Sequence, residues 1–171
     1  MKILVAGDLC SRNRLAHFIE NGMNETVFGN IDGVVKKNDL SILNLECPIV
    51  NGFAKPIIKC GPNLKASPRI VDTIRYLGFK CVTLANNHFY DYGEDGVRDT
   101  INALDAASIL HVGGGENLEM AQKTLLFEHS GEKVAIINVC EHEFSIASEH
   151  QGGSAPLDVV KNYYEIIKAK Q

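Results

Sequence analysis

The chain has 171 residues, 45% of them hydrophobic and 22% charged, which is enough for one domain with its own core and too apolar for a disordered chain. A formal net charge of −4 provides no basic footprint, so a nucleic-acid surface is excluded and small molecules, metals and proteins remain as partners. The opening MKILVAGDLC holds one Lys and an apolar run too short for a signal segment, and no other stretch reaches spanning length; the expectation is a soluble, cytoplasmic chain with no membrane span.

Residues 2–6, KILVA, form an unbroken apolar run closed by Gly7, the pattern of a strand buried on both faces. Residues 12–21 read as a short helix with Leu15, Phe18 and Ile19 on one face and Ser11 as its cap. Residues 24–30 read as a turn. Ile31, Val34 and Val35 then predict a second short helix over 31–37. Residues 39–44 form a second buried strand, and Pro48 after Glu46-Cys47 forbids its continuation, because proline has no amide donor. Residues 50–68 hold Pro56, Gly61-Pro62 and Pro68, a long loop of the kind that is functional or mobile. A helix follows over 70–77, with Ile70, Ile74 and Leu77 on one face and Gly78 at its C-terminal end.

The stretch KCVTLANNHFYDYGEDG is a strand over 80–85, a polar turn, and the start of a helix over 94–107. A short strand at 109–112 runs into Gly113-Gly114-Gly115. Asn117 caps one turn of helix through Gln122. An antiparallel pair spans 124–128 and 134–139, with its turn at 129–132. A polar loop over 141–156 and a last helix over 157–170 complete the chain. Strand and helix alternate through roughly the first 110 residues, which implies right-handed crossovers and a mostly parallel sheet covered on both faces. The fold class is therefore α/β in one domain, 1–171.

Polar groups stand at three strand ends: Asp8 after the first, Asn44 and Glu46 after the second, and Asn86, Asn87 and His88 after the third. In an open parallel sheet the carboxyl ends of neighbouring strands are where ligands bind. Two carboxylates, carboxamide oxygens and one imidazole suit Mn²⁺, Mg²⁺, Fe or Zn²⁺ better than a soft thiolate site would. Each residue alone has a plainer role. Asp8 or Asp91 can cap a following helix, Glu46 can be a solvated loop charge, the asparagines can serve the turn, and a single His is more often structural. Joint placement is what favours a site.

The other histidines carry less. His17 lies on a helix surface, His111 in a strand, His129 in a hairpin turn, and His142 and His150 in the polar loop, where Glu141 and Glu143 also follow a strand. Gly113–Gly115 is neither a P-loop nor G-x-G-x-x-G. The five cysteines (Cys10, Cys47, Cys60, Cys81, Cys140) include no C-x-x-C pair and read as small apolar residues in a reducing compartment, not as a structural zinc site.

GDLC at 7–10, NLECP at 44–48, K-C-GP-N-L at 59–64, GF at 78–79, TLANNHFYDYG at 83–93 and VGGGENLEMA at 112–121 resemble the bacterial capsule synthesis protein family, the CapA/PgsA type associated with poly-γ-glutamate capsules. That family's fold is similar to the calcineurin-like metallophosphoesterases, two sheets flanked by helices around a two-metal site. The resemblance implies metal ligation by Asp8, Glu46 and Asn87 and catalysis by His88, with Asp91 orienting its ring. It implies a metal-dependent phosphoesterase activity in capsule biosynthesis, or alternatively a non-catalytic accessory subunit of a synthesis and export complex. It also points to a peripheral envelope location as an alternative to the cytoplasm.

Two departures stand out. Cys10 occupies a position where the superfamily often has His, and no paired Gly-His-x-His motif occurs before Gln171. The chain is thus expected to be the N-terminal half of a metallophosphoesterase-like domain, weak or inactive by itself, with an open sheet edge that invites self-association or the docking of a missing C-terminal half.

Overall fold

The computed structural model describes residues 1–170. Four parallel strands lie side by side in chain order: β1 (Ile3–Leu9), β2 (Leu40–Leu45), β3 (Cys81–Thr83) and β4 (Leu110–Val112). Sequential order with right-handed crossovers puts every crossover helix on one face of the sheet. These helices are α1 (Arg14–Glu20), α2 (Asn24–Phe28) and α3 (Asp32–Val35) before β2, α4 (Arg69–Leu77) before β3, and α5 (Gly93–Ala106) before β4. The main core forms beneath them. Leu43, Leu45, Val82 and Leu84 from the sheet meet Ile19, Ile70, Ile74, Leu77, Val97 and Leu104 from the helices. Full burial of each such side chain stabilises by about 1.5–3 kcal/mol.

The opposite face is covered by the hairpin of β6 (Leu125–His129) and β7 (Glu132–Ile136). Its Leu125, Phe127, Val134 and Ile136 pack on Leu40, Ile42, Cys81 and Val112. The expected α/β architecture, a mostly parallel sheet with flanking helices and a late antiparallel hairpin, therefore stands. Between β4 and the hairpin lie β5 (Gly114–Gly115) and α6 (Leu118–Ala121), whose cap Asn117 accepts the Met120 amide at 2.9 Å, as expected. Beyond the hairpin, β8 (Gly153–Ser154) pairs antiparallel with β5, and α7 (Val159–Ala169) follows.

Several expectations are corrected. β1 is an edge strand and not doubly buried: the hairpin does not extend over it, and Ile3 and Val5 are 42% and 73% exposed. Residues 24–28, read as turn, form α2. Ser11 does not cap α1; Asn13 occupies that position without a side-chain cap. The polar loop after the hairpin is not all at the surface, since Gly152–Pro156 are buried against β5. The loop over 50–68 has no helix or strand of its own, yet it is pinned at its ends by Val50 N–H to Ala66 O and Ala66 N–H to Pro48 O, both 2.9 Å.

One irregularity positions the site. β1 and β2 pair Val5 with Ile42 but Asp8 with Asn44, so β1 holds one extra residue between them. A β-bulge of this kind shifts the side-chain alternation by one. Leu4 and Leu9, five residues apart, therefore both reach the helix-side core, and Asp8 turns to the hairpin-side face beside Asn44. Without the extra residue Asp8 would point the other way.

Candidate functional site

The carboxyl ends of the strands carry a continuous polar line. The register sets Asp8, Asn44 and Thr83 side by side across β1, β2 and β3. Asn44 Nδ2 donates to Asp8 Oδ1 at 2.8 Å, and Thr83 Oγ1 donates to Asn44 Oδ1 at 3.1 Å. Asn86 continues the line beyond β3. Its Nδ2 donates to Leu45 O at 3.0 Å, and its Oδ1 accepts the His88 N–H at 3.0 Å. Asn86 is thus a staple for the turn, while Asn87 beside it is exposed.

The turn is held from below as well. Ser145 Oγ and Ser154 Oγ donate to Asn86 O at 2.7 and 3.0 Å, and Asn138 Oδ1 accepts the amides of Leu84 and Ala85 at 3.1 and 2.7 Å. Asn138 sits where Gly113 leaves room: a Cβ there would come within 2.0 Å of Asn138 Oδ1.

The line ends in a buried knot. His88 Nδ1 lies 2.7 Å from Asp91 Oδ2, which makes Nδ1 the protonated donor and leaves Nε2 free to accept or give a proton. Asp91 is fully buried. Its Oδ2 also accepts the Leu64 N–H at 2.6 Å, and its Oδ1 meets the Lys59 ammonium, whose side chain is only 2% exposed. The Asp91 backbone carbonyl accepts the Ile57 N–H at 2.9 Å. Asp91 does not cap α5, whose N-cap position is Tyr92; it gathers the 50–68 loop around His88. Phe144 completes the knot, with its ring 5.6 Å from Lys59 Nζ.

Glu46 lies two residues past Asn44, beside the thiol of Cys10. A hydrogen bond from Cys47 holds the Cys10 thiol below its ordinary pKa, against the opposing effects of burial and of Glu46. The same contact, together with burial, pushes the Cys47 thiol up. Among the described residues no three His, Cys, Asp or Glu side chains gather as a metal group. Asp8 is joined through Asn44, Asn86 and backbone links to His88 and Asp91; Glu46 and Asn87 stand on the same rim outside that line.

The sequence pattern places Asn44 at a strand end as one of the candidate carboxamides, and it does not single out Thr83, Ser154 or Lys59. Lys59 had a signal, a lone Lys in the K-C-GP-N-L segment, but burial of its ammonium against Asp91 is a tertiary fact. A separate cleft of about 450 Å³ opens along the outer edge of β4, lined by Leu110, His111, Met120 and Leu125 among others; no rim residue lines it.

These features define a class: an α/β protein with a parallel sheet, an acid–amide rim and a carboxylate-braced histidine at its carboxyl edge. The chain belongs to the family described as bacterial capsule synthesis protein PGA_cap, whose model matches residues 2–169. It is 28% identical to the capsule biosynthesis protein CapA of Bacillus anthracis, over 99% of this chain and 42% of that protein. It is 32% identical to a Mycobacterium tuberculosis protein named "probable polyglutamine synthesis accessory protein", over 67% of this chain and 28% of that protein. It is 22% identical to the PGA biosynthesis protein CapA of Bacillus subtilis, over 71% of this chain and 32% of that protein. The chain thus spans less than half the length of these relatives. No helix among the described residues is long and apolar enough to cross a membrane.

Proposed function

We propose that the protein serves poly-γ-glutamate capsule biosynthesis through a metal-dependent, phosphoesterase-like site on the sheet rim. The observation that carries this reading is the brace His88–Asp91–Lys59 standing at the end of the Asp8–Asn44 pair. The donor set fits a hard divalent cation: Asp8 is exposed, aimed to the open face by the bulge, and keeps lone pairs beyond the one that Asn44 occupies. Asp8, Glu46 and Asn87 would hold such an ion from one side, and further ligands would have to join them. When bound, it would polarise a phosphoryl oxygen and activate a water. His88 holds its Nδ1 proton on Asp91 and presents Nε2 to a leaving group or a water. Lys59 and Leu64 N–H keep the Asp91 carboxylate fixed while His88 changes protonation.

A second reading is an accessory protein that keeps the fold without turnover. The lack of a three-ligand group among the described residues and the presence of Cys10 in the first motif favour it. Mn²⁺ binding followed by electron paramagnetic resonance, together with hydrolysis of an aryl phosphate, separates the two. On the enzymatic reading Asp8→Ala weakens Mn²⁺ at least about tenfold, while His88→Ala retains Mn²⁺ and loses hydrolysis. Absence of both binding and hydrolysis in a chain that spans the whole length of the relatives, where any further ligands would be present, would instead favour the accessory role.

A further inference from the structure

Cys10 and Cys47 leave the ends of β1 and β2 together. The two strands pair Leu9 with Leu45, and Glu46 N–H donates to Leu9 O at 3.2 Å, so Cys10 follows directly past its last paired residue and Cys47 comes one residue further on. Cys47 is buried in the helix-side core, and Cys10 packs against that same cluster. Adjacent strands lie about 4.8 Å apart, and an offset of one residue brings the Cα separation to roughly 6 Å. That is inside the roughly 4.4–6.8 Å window for a disulfide. All five cysteines are free.

We propose that Cys10 and Cys47 form a reversible disulfide, a modification site that low-molecular-weight disulfides such as oxidised glutathione would load. Exposure sets the order of events. Cys47 is fully buried, whereas Cys10 is only partly covered, so Cys10 meets the oxidant first. The Cys10 sulfur, its proton lost to solvent, attacks one glutathione sulfur; the S–S bond breaks and one glutathione thiolate leaves and is protonated. The Cys47 sulfur then attacks Cys10 Sγ; the Cys10–glutathione S–S bond breaks, and the Cys47 proton passes to the departing glutathione thiolate. Two protein thiols are oxidised, and one glutathione disulfide is reduced to two thiols.

The other cysteines are poorly placed to compete. Cys81 belongs to the hairpin-side core, whereas Cys47 belongs to the helix-side core. Cys60 is exposed, on the 50–68 loop. The new bond clamps the end of β1, the least covered strand, to β2 beside Asp8 and Glu46. It needs no metal, so it stands or falls apart from the phosphoesterase reading.

The test incubates the folded chain with oxidised glutathione, blocks remaining thiols with N-ethylmaleimide, and maps the digest by mass spectrometry without reduction. The expected product is a linked peptide pair holding Cys10 and Cys47 within a single chain, reversed by dithiothreitol, with Cys60 carrying glutathione. In Cys47→Ser, glutathione should persist on Cys10. In Cys10→Ser, Cys47 should remain reduced. The proposal is overturned if, once Cys60 is fully modified, Cys10 and Cys47 of the parent chain are both still blocked by maleimide. It is equally overturned if Cys10 of the parent chain retains glutathione.

Discussion

β1 and β2 look alike in sequence, each a short apolar run that ends in an acid or amide, yet the structure treats them in opposite ways. β2 is buried at every position except half-buried Asn44, while β1 exposes Ile3 and Val5. The hairpin β6–β7 is the cause, because it covers Leu40, Ile42, Cys81 and Val112 and stops short of β1. An apolar run thus specifies a strand; its coverage depends on what folds over it later. The site inherits the same division. His88, Asp91 and Lys59 are locked among buried groups, whereas Asp8 rides on the open strand and is tied to the rim by Asn44.

The contrast predicts a steep gradient of mutational cost. Asp91→Ala should be the most damaging change, at about 3–5 kcal/mol, because it strands a buried ammonium. It also frees the Leu64 amide and the His88 ring. Leu43→Ala, in the core beneath β2, should cost about 2–5 kcal/mol. Val5→Ala on the open face of β1 should fall within about 0.5 kcal/mol. Urea denaturation of the three variants measures the gradient, and equal losses for Leu43→Ala and Val5→Ala would erase it. Next comes Gly113→Ala, at about 1–3 kcal/mol: its φ of 89° strains any side chain, and the new Cβ displaces Asn138 from the amides of Leu84 and Ala85. Proton exchange at the Ala85 amide should accelerate in that variant, while Leu84 N–H keeps its 2.9 Å bond to Val112 O; unchanged exchange at Ala85 would mean that Asn138 does not hold the turn.

Much of this order was legible in the chain. α4 was readable because Ile70, Ile74 and Leu77 share a face, and Gly78 closes the helix with a φ of 87°. That Asp8, Asn44 and His88 stand at one edge followed from strand–helix alternation; that Asp8 shares a face with Asn44 did not. The bulge between Val5 and Asp8 was not legible, since a lone Gly7 also reads as a strand end. Lys59 was hidden for a related reason: its partner Asp91 is distant in sequence, and a Lys in a Pro/Gly-rich loop reads as solvated. α2 was missed because residues 24–28 have an Asn at the start and few apolar positions, so no helical face shows. Ser154 lay in a stretch that reads as polar loop, although its hydroxyl supports the Asn86 turn.

The smallest expected effect tests the far end of β1. Asp39, just before β2, accepts the Lys2 N–H at 2.6 Å and donates its own amide to Lys2 O at 2.9 Å. The Lys2 amide, helped by the positive charge of His129 when protonated and of the N-terminus, holds the Asp39 carboxyl below its ordinary pKa, against a smaller opposing effect of burial. A folded pKa below the unfolded one stabilises the fold above the ordinary carboxylate range, and that contribution is lost as pH falls through the folded value. Asp39→Asn should therefore be slightly less stable than the parent near neutral pH, and the difference should shrink as pH falls below the ordinary carboxylate range. Paired urea titrations across that range measure it. A difference that stays constant with pH would show that the carboxylate charge does not tether β1 at this end.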